Sequence, residues 1–187
     1  MGNLVEELMG SLGGDLTKNL SGTLGLDEGT ASKLIPMVAP MILSGLKKQK
    51  DEHGGEERVN HILNKYGSSS VLDDIGGLFS SKAKEENADP RLGGLLGDAG
   101  VQASNLISKQ FNLDGNTASK IIPMLAPVVL GFLTKKRDTD AGSSGIAALL
   151  DQDGDGSILD DVAGFLTGGS GGNLLGNVLG GLFGSGK

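Results

Sequence analysis

"TASKLIPMVAP", Thr30 to Pro40, returns as "TASKIIPMLAP", Thr117 to Pro127, with nine of eleven positions identical. The same offset of 87 residues carries "SVLDDIGGLF" from Ser70 onto "SILDDVAGFL" from Ser157 without a gap. One fixed offset at two separate places marks a tandem duplication, so whatever this stretch folds into is made twice. The apolar positions around it, Leu34, Ile35, Val38, Met41, Ile42 and Leu46, recur at three and four, which is the period of a helix with one buried face. Met37, Val38, Met41 and Ile42 are therefore expected in the core. Asp27 and Asp114 stand just ahead of the two copies and suit the N-cap, where a carboxylate accepts from a backbone N–H that the first turn leaves unserved. Pro36 and Pro40, matched by Pro123 and Pro127, interrupt the pattern. Each removes a donor and crowds the preceding turn, so a kink or a break between two short helices is expected. Lys47, Lys48 and Lys50, with Lys135, Lys136 and Arg137 in the second copy, follow the last apolar positions and complement a helix C-terminus.

Outward from this segment, "EERVNHILNKYG" predicts an amphipathic helix with Val59, Ile62 and Leu63 inward and Gly67 as its stop. Ser70 and Ser157, each followed three residues later by Asp73 or Asp160, resemble the start of a capped last helix. No window alternates as a strand must. The fold class is therefore all-α, two tandem copies of a small bundle of about four short helices. The first unit covers residues 1–80, a polar linker 81–90, the second unit 91–167 and a Gly-rich tail 168–187.

Composition narrows the chemistry. Among 187 residues there are 33 glycines, no Trp, one Tyr and five Phe, so the core is aliphatic and its helices are weak until packed. A formal net charge of −7 argues against a nucleic-acid partner, which needs a basic face. The absence of Cys excludes disulfides and thiolate chemistry. Glu6 and Glu7 stand where a signal peptide is apolar, Glu6 also breaks the myristoylation pattern, and a cytoplasmic location is expected.

One motif suits a metal. In "LLDQDGDGSILDDV", Leu149 to Val162, Asp151, Asp153 and Asp155 take positions one, three and five of a D-x-D-x-D-G loop, with Gly156 at the turn and Ser157 offering its carbonyl. Three carboxylates on alternate residues converge on one centre, which is how an oxygen cage for Ca²⁺ is built. Over about twelve residues the stretch resembles EF-hand and dockerin-type loops. It departs from them where a bidentate Glu belongs, since Val162 stands there and Asp160 and Asp161 precede it. One of those two would have to close the loop. The competing reading is a solvated Asp-Gly turn before a capped helix. The duplication favours the cage, because Asp151, Asp153 and Asp155 align with Asn64, Tyr66 and Ser68, whereas Ser157, Asp160 and Asp161 align with Ser70, Asp73 and Asp74. The first copy makes the same connection without the extra carboxylates.

Other signals are weaker. Gly168, Gly172, Gly176, Gly180 and Gly184 would stripe one face of a helix, as in close-packed pairs, and suggest self-association or docking on the second unit; the alternative is a tail with no fixed structure. "GLFGSGK" has the spacing of a phosphate loop but no Ser or Thr after its lysine. His53 and His61 form no metal motif, and adjacent aspartates on a helix point apart. No enzyme is expected. The apolar stretches Leu34 to Leu46 and Ile121 to Leu133 hold 13 residues each, short of a bilayer span, so a membrane role is the rival to a protein partner or homo-oligomer.

Taken together, "LGGDLTKNLSGTLGLDEGTASKLIPMVAPMILSGLKK" from Leu12, its repeat, and "LDQDGDGSILDDVAGFL" from Leu150 resemble a bacterial family known as domain of unknown function 937, related to the YidB-like proteins. The resemblance implies an all-helical fold and no assigned activity, and it brings no catalytic residues with it.

Overall fold

A computed structural model of the chain describes residues 4–141, all within one compact unit. Among these residues there are six α-helices and no strand: α1 (Leu4–Leu24), α2 (Glu28–His53), α3 (Gly55–Tyr66), α4 (Ile75–Ala83), α5 (Asp98–Gln110) and α6 (Gly115–Lys136). Short 3-10 turns at Ser69–Leu72 and Leu92–Gly94 lead into α4 and α5, and a π-turn, Arg137–Ala141, follows α6.

The duplication is visible in individual bonds. Asp27 caps α2 by accepting from the Thr30 N–H at 2.7 Å, and Asp114 caps α6 by accepting from Thr117 at 2.9 Å. Ser32 donates to the Gly29 carbonyl at 3.0 Å and Ser119 to Asn116 at 2.8 Å. Before them, Leu26 N donates to Ser21 O at 3.0 Å and Leu113 N to Ser108 O at 2.9 Å. The copies diverge at their starts. α1 begins at Leu4 on helix formers, but the aligned "RLGGLLG" turns through Gly93, Gly94 and Gly97 at φ 60°, 100° and 56°, so α5 begins seven residues after Arg91.

Of the kink or break expected at the prolines, the break does not occur. α2 runs unbroken from Glu28 to His53 through Pro36 and Pro40, and α6 does the same through Pro123 and Pro127. Magnitudes explain this. Two interior prolines cost about 6 kcal/mol, but α2 buries Leu34, Ile35, Met37, Val38, Ile42, Leu43 and Leu46, and each large aliphatic returns about 1.5–3 kcal/mol. Packing wins over propensity. The longer helix also moves the basic residues: Lys47 and Lys48 lie inside α2, Lys47 bridging Asp51 at 2.8 Å, and its last turn holds Lys50 and His53. Of the four residues expected in the core, Met37, Val38 and Ile42 are at most 3% exposed. Met41 is only half-buried.

α6 is the centre of the described fold. It packs against α1, α2, α3, α4, α5 and the Ser69–Leu72 turn, and it is apolar nearly all round, as a helix covered on every side must be. Five elements of the first copy, four helices and a turn, therefore rest on a helix of the second, and over residues 4–141 the duplication in sequence is not a separation into two cores. Contact is closest where backbones meet. A Cβ on Gly67 would lie 2.7 Å from the Leu130 carbonyl oxygen, and one on Gly131 would lie 2.7 Å from that of Ser68. Lys120 reaches across to donate to Ala83 O at 2.7 Å, serving an orphan carbonyl at the end of α4.

The caps make a pH prediction. The Thr30 hydroxyl and N–H hold the Asp27 carboxyl below its ordinary value, and Thr117 does the same for Asp114. Both groups therefore favour the folded state once ionised, and that contribution fades as pH falls below about 4. In urea titrations from pH 6 to 2.5, the double variant Asp27→Asn, Asp114→Asn should lose less of its midpoint on acidification than wild type. Parallel acid profiles would show that the caps carry no linked proton.

Candidate functional site

Asp151, Asp153, Asp155, Ser157, Asp160 and Asp161 lie outside the described residues. The first copy's counterparts are inside, and they show what the connection does without the extra carboxylates. Asn64 accepts from Arg137 Nη1 at 3.0 Å, and Asn60, one turn earlier, from the same nitrogen at 3.2 Å. The Ser68 and Ser70 hydroxyls share a 2.6 Å hydrogen bond. Ser70 is therefore not the cap of the last helix. Ser69–Leu72 winds as a 3-10 turn, which delays α4 to Ile75, and Asp74 takes the N-cap by accepting from Gly77 N at 2.9 Å. A side chain at Gly77 would collide with that carboxylate. Gly164 preserves the glycine 87 residues on.

Among the described residues no three His, Cys, Asp or Glu side chains cluster as metal ligands would. The site-like feature is a cleft of about 230 Å³ between α6, the end of α3 and the segment after α4. Its apolar side is Pro123, Ala126, Pro127 and Leu130 on one face of α6, joined by Leu92 and Leu95. Pro123 and Pro127 lack N–H groups, so the carbonyls of Ser119 and Pro123 lose their helical donors. The polar rim carries Lys82, Glu85, Asn87 and Asp89. Lys82 and Glu85 pair at 2.8 Å, while the Asp89 carboxylate accepts from the N–H groups of Arg91 and Gly93, both at 3.0 Å, and so shapes the Leu92–Gly94 turn. Tyr66 closes one side. It is 50% exposed, with the Lys65 ammonium 5.1 Å from its ring centroid.

Such a cleft can hold an apolar or aromatic side chain between prolines and a phenol ring, with polar groups to orient whatever backbone carries it. Sequence reasoning passed over Tyr66, reading it only as the counterpart of Asp153. The available signal was composition: it is the chain's single Tyr, without any Trp, placed directly before the glycine that ends α3.

A family model described as "Bacterial protein of unknown function (DUF937)" matches residues 6–136 and again 133–187. No curated protein and no solved structure matches the chain.

Proposed function

Since the chain belongs to this bacterial family of unknown function, we propose that it is a non-enzymatic helical module of the cytoplasm, acting through contacts with other protein chains, a second copy included. Tyr66 carries the reading. An aromatic ring left 50% exposed beside an apolar cleft is the kind of anchor that protein interfaces use, because it buries much area at little entropic cost. Two helices, Glu28–His53 and Gly115–Thr139, have the length and apolarity of a membrane span, but 61% and 78% of their apolar windows are turned into the fold, which supports a core role.

Calcium is the second input. In this reading Asp151, Asp153, Asp155 and Ser157 supply the cage and Asp160 or Asp161 closes it; the duplication supports Asp160, since Asp161 aligns with Asp74, whose carboxylate caps α4. Without a bidentate twelfth ligand the affinity falls around 10⁻⁵ to 10⁻³ M. One sedimentation series tests both parts. Wild type should associate with rising concentration, more so at millimolar calcium. Tyr66→Ala should keep its melting temperature and stay monomeric, while Asp153→Asn with Asp155→Asn should associate without responding to calcium. A Tyr66→Ala protein that sediments as wild type at every concentration would remove the cleft from the interface, and a wild type indifferent to calcium would return the loop to a turn.

A further inference from the structure

Two local instructions conflict ahead of α5. Asp89 followed by Pro90 is the sequence of a helix start, an N-cap carboxylate and then a residue whose missing N–H costs nothing at the first position. A helix from Pro90 to Gln110 would match the 21 residues of α1, and the aligned segment Leu4–Gly10 is helical. One cap bond already exists, because the Asp89 carboxylate accepts at 3.0 Å from Arg91 N, which would be the second position of that helix. Glycines oppose it. Gly93, Gly94 and Gly97 take φ of 60°, 100° and 56°, a region glycine enters freely, and each would weaken a helix that included it. Leu92 pulls the other way, since it is held at φ 52° without glycine's freedom. The turn is fastened locally: Leu96 N and Gly97 N both donate to the Arg91 carbonyl, at 3.0 and 3.3 Å.

We infer that residues 90–97 are a strap with two states: the turn, which builds one side of the Tyr66 cleft, and a helix that extends α5 back to Asp89 and takes that side away. Leu92, Gly93 and Leu95 all line the cleft, and the Tyr66 hydroxyl lies 3.9 Å from where a Cβ on Gly93 would stand. In the turn, the Pro90 carbonyl folds back on Gly100 so closely that a Cβ there would collide with it. In the helix the same two residues would stand about 15 Å apart. Leu92 and Leu95 leave the cleft with the backbone that carries them. A partner side chain seated among Tyr66, Pro127, Leu92 and Leu95 stabilises the turn alone, so binding draws the strap into the turn and the helix refuses the partner. That consequence rests on the cleft being the interface proposed above; the two states do not.

Nuclear magnetic relaxation dispersion on the full chain reads the strap directly. Wild type should show exchange centred on residues 90–97, with α-carbon shifts of the minor state that are helical. Gly93→Ala with Gly94→Ala should make those helical shifts the major ones and leave the rest of the fold intact, since a Cβ at Gly94 meets nothing within 4 Å and one at Gly93 only the Tyr66 hydroxyl. The same pair should weaken association at least tenfold in sedimentation. Flat dispersion in wild type, or an alanine pair without helical shifts, would overturn the two states. Helical shifts with association as in wild type would overturn the gating where Tyr66→Ala is monomeric. A Tyr66→Ala protein that associates normally removes the interface instead, and the dispersion result then decides the strap by itself.

Discussion

Ile42→Asp should bring the protein close to unfolding, lowering its stability by about 4–5 kcal/mol out of the 5–15 kcal/mol usual for a domain of this size. Ile42 is 0% exposed in the middle of α2. The substitution removes a buried aliphatic side chain, worth roughly 2–4 kcal/mol when nothing fills its place, and leaves a carboxylate with no cation beside it, which must either remain desolvated or take up a proton. Val129 stands at the equivalent place in α6 and is 3% exposed, so Val129→Asp should do comparable damage. Urea denaturation followed by far-ultraviolet circular dichroism reads both. A midpoint for Ile42→Asp within error of wild type would mean that this side of α2 faces water and that the packing described above is wrong.

The second large effect separates glycines that are needed from glycines that are merely present. Gly131→Val should cost about 3 kcal/mol. The new Cβ would stand 2.7 Å from Ser68 O and 2.9 Å from Val71 Cγ2, so α6 and the Ser69–Leu72 turn would have to part and lose buried contact along their seam. Gly10→Ala is the control. Nothing lies within 4 Å of a Cβ there, and the position is helical, so the exchange should stabilise α1 by roughly 0.5–1 kcal/mol. If both substitutions stabilise, α6 does not approach the turn as closely as its backbone implies.

The contrast between those glycines also shows where reading the chain as a string stops. Helical class, the Asp27 and Asp114 caps, the inward faces of α2 and α3 and the stop at Gly67 are legible because each depends on residues within one or two turns of each other, where hydrogen bonds and period are local. The position of α4's cap is not legible in the same way: the spacing of Ser70 and Asp73 points to Ser70, but the turn that packs on α6 winds as 3-10 over Ser69–Leu72, which delays the helix and leaves the cap to Asp74. The calcium proposal rests on carboxylate spacing alone, and its residues lie outside those described.

What the chain by itself determined is the duplication, the helical period and the caps, since all three are written in residue order and need no distant partner. What only the tertiary structure decided is whether α2 and α6 survive their prolines, that α6 serves as the shared centre for helices of both copies, and that Tyr66 meets Pro123 and Pro127 across a cleft. The physical reason is the same in each case. Proline propensity, glycine cost and side-chain exposure are small or local terms, and the burial of some seven large aliphatic side chains along one helix, supplied by residues dozens of positions away, is larger than any of them.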